Sequence, residues 1–168
     1  MPLKSAQRIL LVKDINSLHI SSLLSKYKLI LNTVNQNTKI PGSYWGGSEA
    51  GLINNHVYVR DDTPIHSLLH ETCHYICMDK QRRELLDTNA EGDYDEENAV
   101  CYLQILLANE LTDMQSIRMM QDMDSWGYTF RLGSAQKWFE NDAEDAKQWL
   151  LDFNLIDNNL QATFNLRN

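Results

Sequence analysis

The chain has 168 residues, of which 43% are apolar and 23% charged, a composition typical of a folded globular protein. Its net charge of −8 at pH 7 argues against a nucleic-acid partner or an anionic membrane surface, because phosphate groups are bound by a surplus of Lys and Arg. No segment approaches the roughly 20 consecutive apolar residues of a membrane span. Three cysteines, without a recognisable export signal, favour reduced thiols and a cytoplasmic protein.

The N-terminal third of the chain predicts strands and one helix. Apolar runs predict short strands at Gln7–Lys13, Lys28–Asn35 and Leu52–Arg60. Asp14 or Asn16 is expected to cap a helix that continues to about residue 26. The buried positions expected in this helix are Leu18, Leu23 and Leu24. Because a strand, helix, strand order favours a parallel crossover, we expect the first two strands to pair in parallel.

The remainder of the chain predicts mainly helices. Thr63-Pro64, as N-cap and first helical residue, begins a helix expected to reach about Lys80. A polar loop at Leu86–Asp95 precedes a second long helix, and Ser125–Ser134 interrupts the helical pattern further on. Two short helices are expected after it, starting at Ser134 and near Asn141 or Asp142. Residues 1–168 therefore predict a single α+β domain with a small mixed sheet and a helical C-terminal half.

One motif on the first long helix carries metal chemistry. His70-Glu71-Thr72-Cys73-His74 matches H-E-x-x-H. Residues four apart lie on one helix face about 6 Å apart along the axis, so both imidazoles can converge on one ion. Glu71 is rotated by about 100° from His70, where it can hold a metal-bound water and accept its proton. The motif therefore predicts metal ligands at His70 and His74 and a general base at Glu71.

The next helix supplies the candidate third ligand. Glu96 shares its helical face with apolar residues, namely Ala99, Val100, Leu103 and Leu107. Its neighbour Glu97 lies on a less apolar face, with Cys101, Gln104 and Ala108. A carboxylate on an inward face requires a partner, and a metal ion is one. We therefore expect Glu96 to be the third ligand, with Glu97 as the alternative.

Other metal-binding side chains near the motif fit less well. His66 lies about 12 Å along the helix axis from His74, too far for one ion to bind both together with His70. Cys73, Cys77 and Cys101 could form a cysteine-rich zinc site, but their face points away from the two histidines. Packing of small buried thiols between two helices explains them better.

The order H-E-x-x-H, a loop of about twenty residues and then E-x-x-A at the start of a helix resembles the gluzincin metallopeptidases. In particular, "EENAVCYLQILLA" is similar to the pattern of small cytoplasmic metallopeptidases that act as bacterial stress-response and phage-repressor regulators. Glu96 stands at the ligand position of that pattern, Ala99 at its alanine and Tyr102 at its aromatic residue. The resemblance covers about residues 51–108, a third of the chain.

This resemblance implies a zincin-like fold, bound Zn²⁺ and a catalytic glutamate at Glu71. It also implies that the strand Leu52–Val59 is an edge strand above the active-site helix, along which a peptide could add as a further strand. Two residues depart from the pattern. Thr72 replaces an aliphatic residue, and Val100 replaces an Asn or Asp that would support a ligating histidine.

These features together predict a zinc-dependent hydrolase that acts on a peptide or protein. Peptide cleavage also requires a donor for the developing oxyanion. The candidates for this role are Tyr128, Arg131, His66 and Tyr94. The competing hypothesis is a non-catalytic binding or regulatory module on the same scaffold, which is suggested by the short chain and by Val100.

Overall fold

The computed structural model describes residues 8–168, which form seven α-helices and one three-stranded sheet. The helices are α1 Ser17–Ser25, α2 Ile65–Cys77, α3 Lys80–Glu84, α4 Tyr94–Leu107, α5 Gln115–Trp126, α6 Ala135–Asn141 and α7 Glu144–Asp152. The strands are β1 Ile30–Thr33, β2 Gly51–Ile53 and β3 His56–Val59, and 3-10 turns occur at Val12–Asp14 and Ala108–Glu110. The predicted α+β class, with a small mixed sheet and a helical C-terminal half, is confirmed.

The sheet has the order β1-β3-β2, with β1 parallel and β2 antiparallel to the central strand β3. The predicted single strand Leu52–Arg60 is therefore wrong, because the chain reverses between β2 and β3. Asn54 at the reversal has φ of 50°, a left-handed conformation that asparagine adopts more readily than most residues. The alternating apolar pattern predicted one continuous strand, but this tight turn divides the segment into the two strands of a hairpin.

The first predicted strand is also absent from the described residues. Gln7 lies outside them, and the segment that follows makes only one isolated bridge, between Leu11 and Pro64. The carboxylate of Asp14 accepts the backbone N–H of Leu11 at 2.9 Å and closes a 3-10 turn at Val12–Asp14. The parallel pair predicted for the first two strands is instead formed by β1 and β3.

Capping side chains explain where most helices begin. Asn16 caps α1 by accepting the N–H of Leu18, and Ser134 caps α6 as predicted. Leu23 and Leu24 of α1 are buried as predicted, but Leu18 is exposed. Asp93 starts α4 by accepting the N–H of Glu96.

Helix α2 begins and ends differently from the prediction. Pro64 occupies the N-cap position, and the Thr63 hydroxyl accepts the N–H of Arg60 instead of capping the helix. The helix ends at Cys77, because Met78 is extended and Asp79 caps the separate helix α3. The continuous helix predicted up to Lys80 is thus two helices with a bend between them.

Helix α2 lies at the centre of the molecule, packed against α4 and the sheet. Eleven of its thirteen residues are buried. The two that retain contact with solvent are His70 and Glu71. Among the described residues, no helix has both the length and the apolar character needed to cross a membrane.

A buried ion-pair network joins α4 to α3 and to the C-terminal segment. Glu96 is 2% exposed, and both of its carboxylate oxygens accept hydrogen bonds from Arg82, at 2.7 and 2.9 Å. Arg167 donates to the same carboxylate at 3.0 Å and to the carbonyl of Cys77 at the end of α2. A Cβ atom at Gly92 would lie 1.7 Å from a Glu96 oxygen, so only glycine allows the preceding loop to pass over this carboxylate.

We predict that Glu96→Ala lowers the free energy of unfolding by about 3 kcal/mol, because it leaves Arg82 and Arg167 without their shared carboxylate. The figure is below the upper range for buried pairs, since both arginines are partly exposed to water. Urea denaturation followed by circular dichroism measures the change. Glu140→Ala, on an exposed surface, is the matched control; a loss below about 1 kcal/mol for Glu96→Ala would contradict the prediction.

Candidate metal centre

Three side chains from α2 and α4 converge at the surface of α2. The Nε2 atoms of His70 and His74 lie 3.1 Å apart, and Nε2 of His74 lies 3.6 Å from Oε2 of Glu97. One donor atom from each of these three residues lies within 4.8 Å of both others. Among the described residues, this is the one group of histidine, cysteine and carboxylate side chains close enough to hold a metal ion.

The donor set fits a divalent cation. An ion with bonds of about 2.0–2.1 Å and tetrahedral geometry separates its ligand atoms by about 3.3 Å, close to the two separations found at His74. Burial lowers the pKa of both histidines, so the imidazoles are neutral and carry lone pairs for an ion. The group His70, His74 and Glu97 can therefore hold a metal ion.

Gln104 orients the first of these ligands. Its Oε1 lies 2.8 Å from Nδ1 of His70, while its Nε2 donates to the backbone carbonyl of His66 at 2.9 Å. The second bond identifies Oε1 as the acceptor, so Nδ1 of His70 carries the proton and Nε2 is free for the ion. The sequence prediction gave Gln104 no role, although a buried glutamine on the Glu97 face was the signal that could have found it.

The second ligand lacks such support. Nδ1 of His74 is buried and has no hydrogen-bond partner within the described chain. Val100, where the sequence resemblance predicted an Asn or Asp, is fully buried and offers no polar side-chain group. His74 therefore lacks a hydrogen bond of the kind that Gln104 makes with His70.

The structure brings Glu97, the alternative ligand, to the two histidines and does not bring Glu96 there. The inward face of Glu96 was predicted correctly, but its partners there are the guanidinium groups of Arg82 and Arg167. Glu97, one residue later, turns toward His74 instead. The inward position of Glu96 requires a cationic partner, and two arginines from other segments of the chain supply it.

Glu71 lies beside the three candidate ligands in a cleft of about 200 Å³. The walls of this cleft also contain Tyr44, Trp45, Thr88, Asn89, Ala90 and Glu91. Burial raises the pKa of Glu71 to about 8, and the nearby carboxylates of Glu49 and Glu97 add to the shift. A carboxyl group with a pKa near neutrality is suited to exchanging protons with a bound molecule.

None of the four predicted oxyanion donors lines this cleft. His66 and Tyr128 are hydrogen-bonded to each other at 3.2 Å on the inner side of His70. Tyr94 and Arg131 line a separate groove, where Arg131 is paired with Asp142. The cleft is lined instead by the uncharged polar side chains of Tyr44, Thr88 and Asn89. The last two belong to the polar loop predicted at Leu86–Asp95, and the sequence prediction gave none of the three a role.

The cysteines are packing residues, as the sequence predicted. Cys73 and Cys77 are fully buried in the hydrophobic core, and Cys101 packs against it. Burial raises the pKa of all three thiols, which keeps them protonated. None of them belongs to the metal-binding group described above.

Comparison with models of protein families, with curated proteins and with solved structures gives no match. The resemblance to gluzincin metallopeptidases therefore stays a prediction from the sequence motif. The zincin-like architecture is likewise a prediction.

We predict that Glu97→Gln weakens metal binding by more than about 100-fold, because it removes a ligand and not merely a group that supports one. Isothermal titration of the folded protein with Zn²⁺ measures the affinity. Glu96→Gln is the matched control, and its affinity should stay within about threefold of the original. Equal losses in the two variants, or a loss only in Glu96→Gln, would contradict the assignment of Glu97.

Gln104→Leu should weaken Zn²⁺ binding by about 10- to 100-fold, because Nδ1 of His70 loses the acceptor that fixes its tautomer. Competition with a chromophoric chelator measures this change. Gln104→Glu keeps an acceptor oxygen and should retain more affinity than the leucine variant. An unchanged affinity in Gln104→Leu would show that the hydrogen bond does not prepare His70 for the metal.

Proposed function

We propose that the protein is a zinc-dependent hydrolase that cleaves peptide bonds. The observation that carries this proposal is the position of Glu71 and the three candidate ligands at one cleft, where the otherwise buried helix α2 meets Glu97 of α4. The H-E-x-x-H spacing also supports the proposal, since it places the two imidazoles on one face of the helix and the glutamate beside that face.

Each side chain has one task in this proposal. His70, His74 and Glu97 hold Zn²⁺, and Gln104 keeps Nε2 of His70 available to it. When bound, the ion acts as a Lewis acid that acidifies water and polarises a carbonyl group. Glu71 accepts the proton of the attacking water and later delivers it to the leaving amine. Tyr44 and Asn89 line the cleft, and their hydroxyl and amide groups are the proposed donors to the oxyanion.

The competing proposal is a metal-binding module without catalytic activity. One observation favours it: the outward-facing backbone groups of β2 are already used within the chain. Leu52 donates its N–H to the carbonyl of Gly42 at 3.1 Å and accepts the N–H of Thr88 at 2.9 Å. A peptide therefore cannot add to this strand as the family resemblance implied, and a substrate would need other contacts.

We predict that the zinc-loaded protein hydrolyses short peptides and that Glu71→Gln lowers kcat/KM by about 100-fold or more, because the general base is removed. Incubation with a mixture of synthetic peptides of varied sequence, followed by mass spectrometry, detects cleavage at any peptide bond. Zinc affinity is measured in parallel and should stay within about tenfold. Zinc binding without any metal-dependent cleavage would support the non-catalytic module instead.

A further inference from the structure

The cleft offers little backbone pairing to a substrate, so its side chains must supply recognition. Besides the two bonds of Leu52, Asn54 donates its N–H to the carbonyl of Leu86 at 2.8 Å. A Cβ atom at Gly51 would lie 1.8 Å from the carbonyl oxygen of Pro41, which shows how closely the adjoining segment covers β2. Binding energy therefore has to come from groups that project from the cleft walls.

One wall projects two aromatic rings into solvent. Trp45 is 80% exposed and Tyr44 52% exposed, and their ring centroids lie 5.1 Å apart in an edge-to-face arrangement. Both line the cleft that contains His70 and Glu71. An exposed tryptophan next to reactive groups provides a flat apolar and π surface for a bound side chain.

The charges in the cleft are of one sign. Glu71, Glu91 and Glu97 line it, and no Lys or Arg among residues 8–168 does so. The nearby Arg82 is paired with Glu96 and Asp79, and it donates to the backbone carbonyl of Glu91, not to its carboxylate. The Glu91 carboxylate itself makes no hydrogen bond or ion pair with the described residues.

Glu91 remains available after the other carboxylates are assigned. Glu97 is a candidate metal ligand and Glu71 is the proposed general base, whereas Glu91 has neither role. Glu91 and Glu97 both line this cleft, so the Glu91 carboxylate belongs to the same site. An anionic substrate group would meet this uncompensated charge, whereas a cationic group would be attracted to it.

We propose that the cleft selects peptides with a lysine or arginine side chain next to the bond to be cleaved, held over Trp45 and paired with Glu91. This specificity rests on the proposed hydrolase function. A cation over an indole ring and a carboxylate beside it are complementary to one long basic side chain. The same arrangement disfavours aspartate and glutamate at that position.

The test uses three synthetic peptides that differ only in Lys, Gln or Glu at one position, and the zinc-loaded Glu71→Gln protein as a non-cleaving binder. We expect the Lys peptide to bind about tenfold or more tightly than the Glu peptide in titration calorimetry. Trp45→Ala should weaken Lys-peptide binding by about tenfold and Glu91→Gln by about threefold. Leu18→Ala and Glu140→Gln, both on exposed surfaces elsewhere, are the matched controls and should change nothing.

The outcomes separate the specificity from the catalytic function. Equal binding of the Lys and Glu peptides, or a Trp45→Ala variant that binds normally, overturns the proposed specificity. Cleavage by the wild-type protein without charge preference also overturns it and leaves the hydrolase intact. Lys-selective binding that depends on Trp45, in a wild-type protein that cleaves none of the peptides, supports the recognition site and overturns the hydrolase.

Discussion

The burial of α2 is the constraint on which the candidate site depends. Its apolar and small residues are enclosed by α4 and by the sheet, so the chain has to place two polar side chains, His70 and Glu71, where this enclosure opens. An imidazole or carboxylate in such surroundings loses most of its hydration and needs a partner of defined geometry. Gln104 provides one for His70, and the cleft exposes the remaining ring nitrogen.

Two adjacent glutamates on α4 have different roles: Glu96 makes buried ion pairs, and Glu97 is a candidate metal ligand. Successive residues of a helix point about 100° apart, so Glu96 and Glu97 cannot serve the same partner. Glu96 pairs with the arginines that join α3 and the C-terminal segment to α4. Glu97 turns to His74 on α2 instead. One carboxylate therefore stabilises the fold, and its neighbour is available to the candidate metal centre.

The sequence was sufficient for features that depend on local patterns. The α+β class, the caps at Asn16 and Ser134 and the burial of the cysteines all follow from short-range spacing and composition. Features that depend on distant segments were not predictable in this way. The partner of Glu96 is about seventy residues away in Arg167, and the hairpin between β2 and β3 depends on one left-handed asparagine within an apparently continuous strand. The cleft walls are loops, and the hydrophobic periodicity of the sequence does not predict how loops are placed relative to one another.

The close contact between Gly92 and Glu96 also affects the cleft. Gly92 belongs to the loop that carries Asn89 and Glu91, so this wall rests directly on the buried ion pair and is held in place before any ligand arrives. Binding against a preorganised wall loses little conformational entropy. The exposed side chains of Tyr44 and Trp45 have no such anchor among the described residues, so a ligand that orders them also reduces their conformational entropy. The two walls therefore differ: the backbone of one is supported by the buried ion pair, and the other presents exposed aromatic rings that can adjust to a ligand.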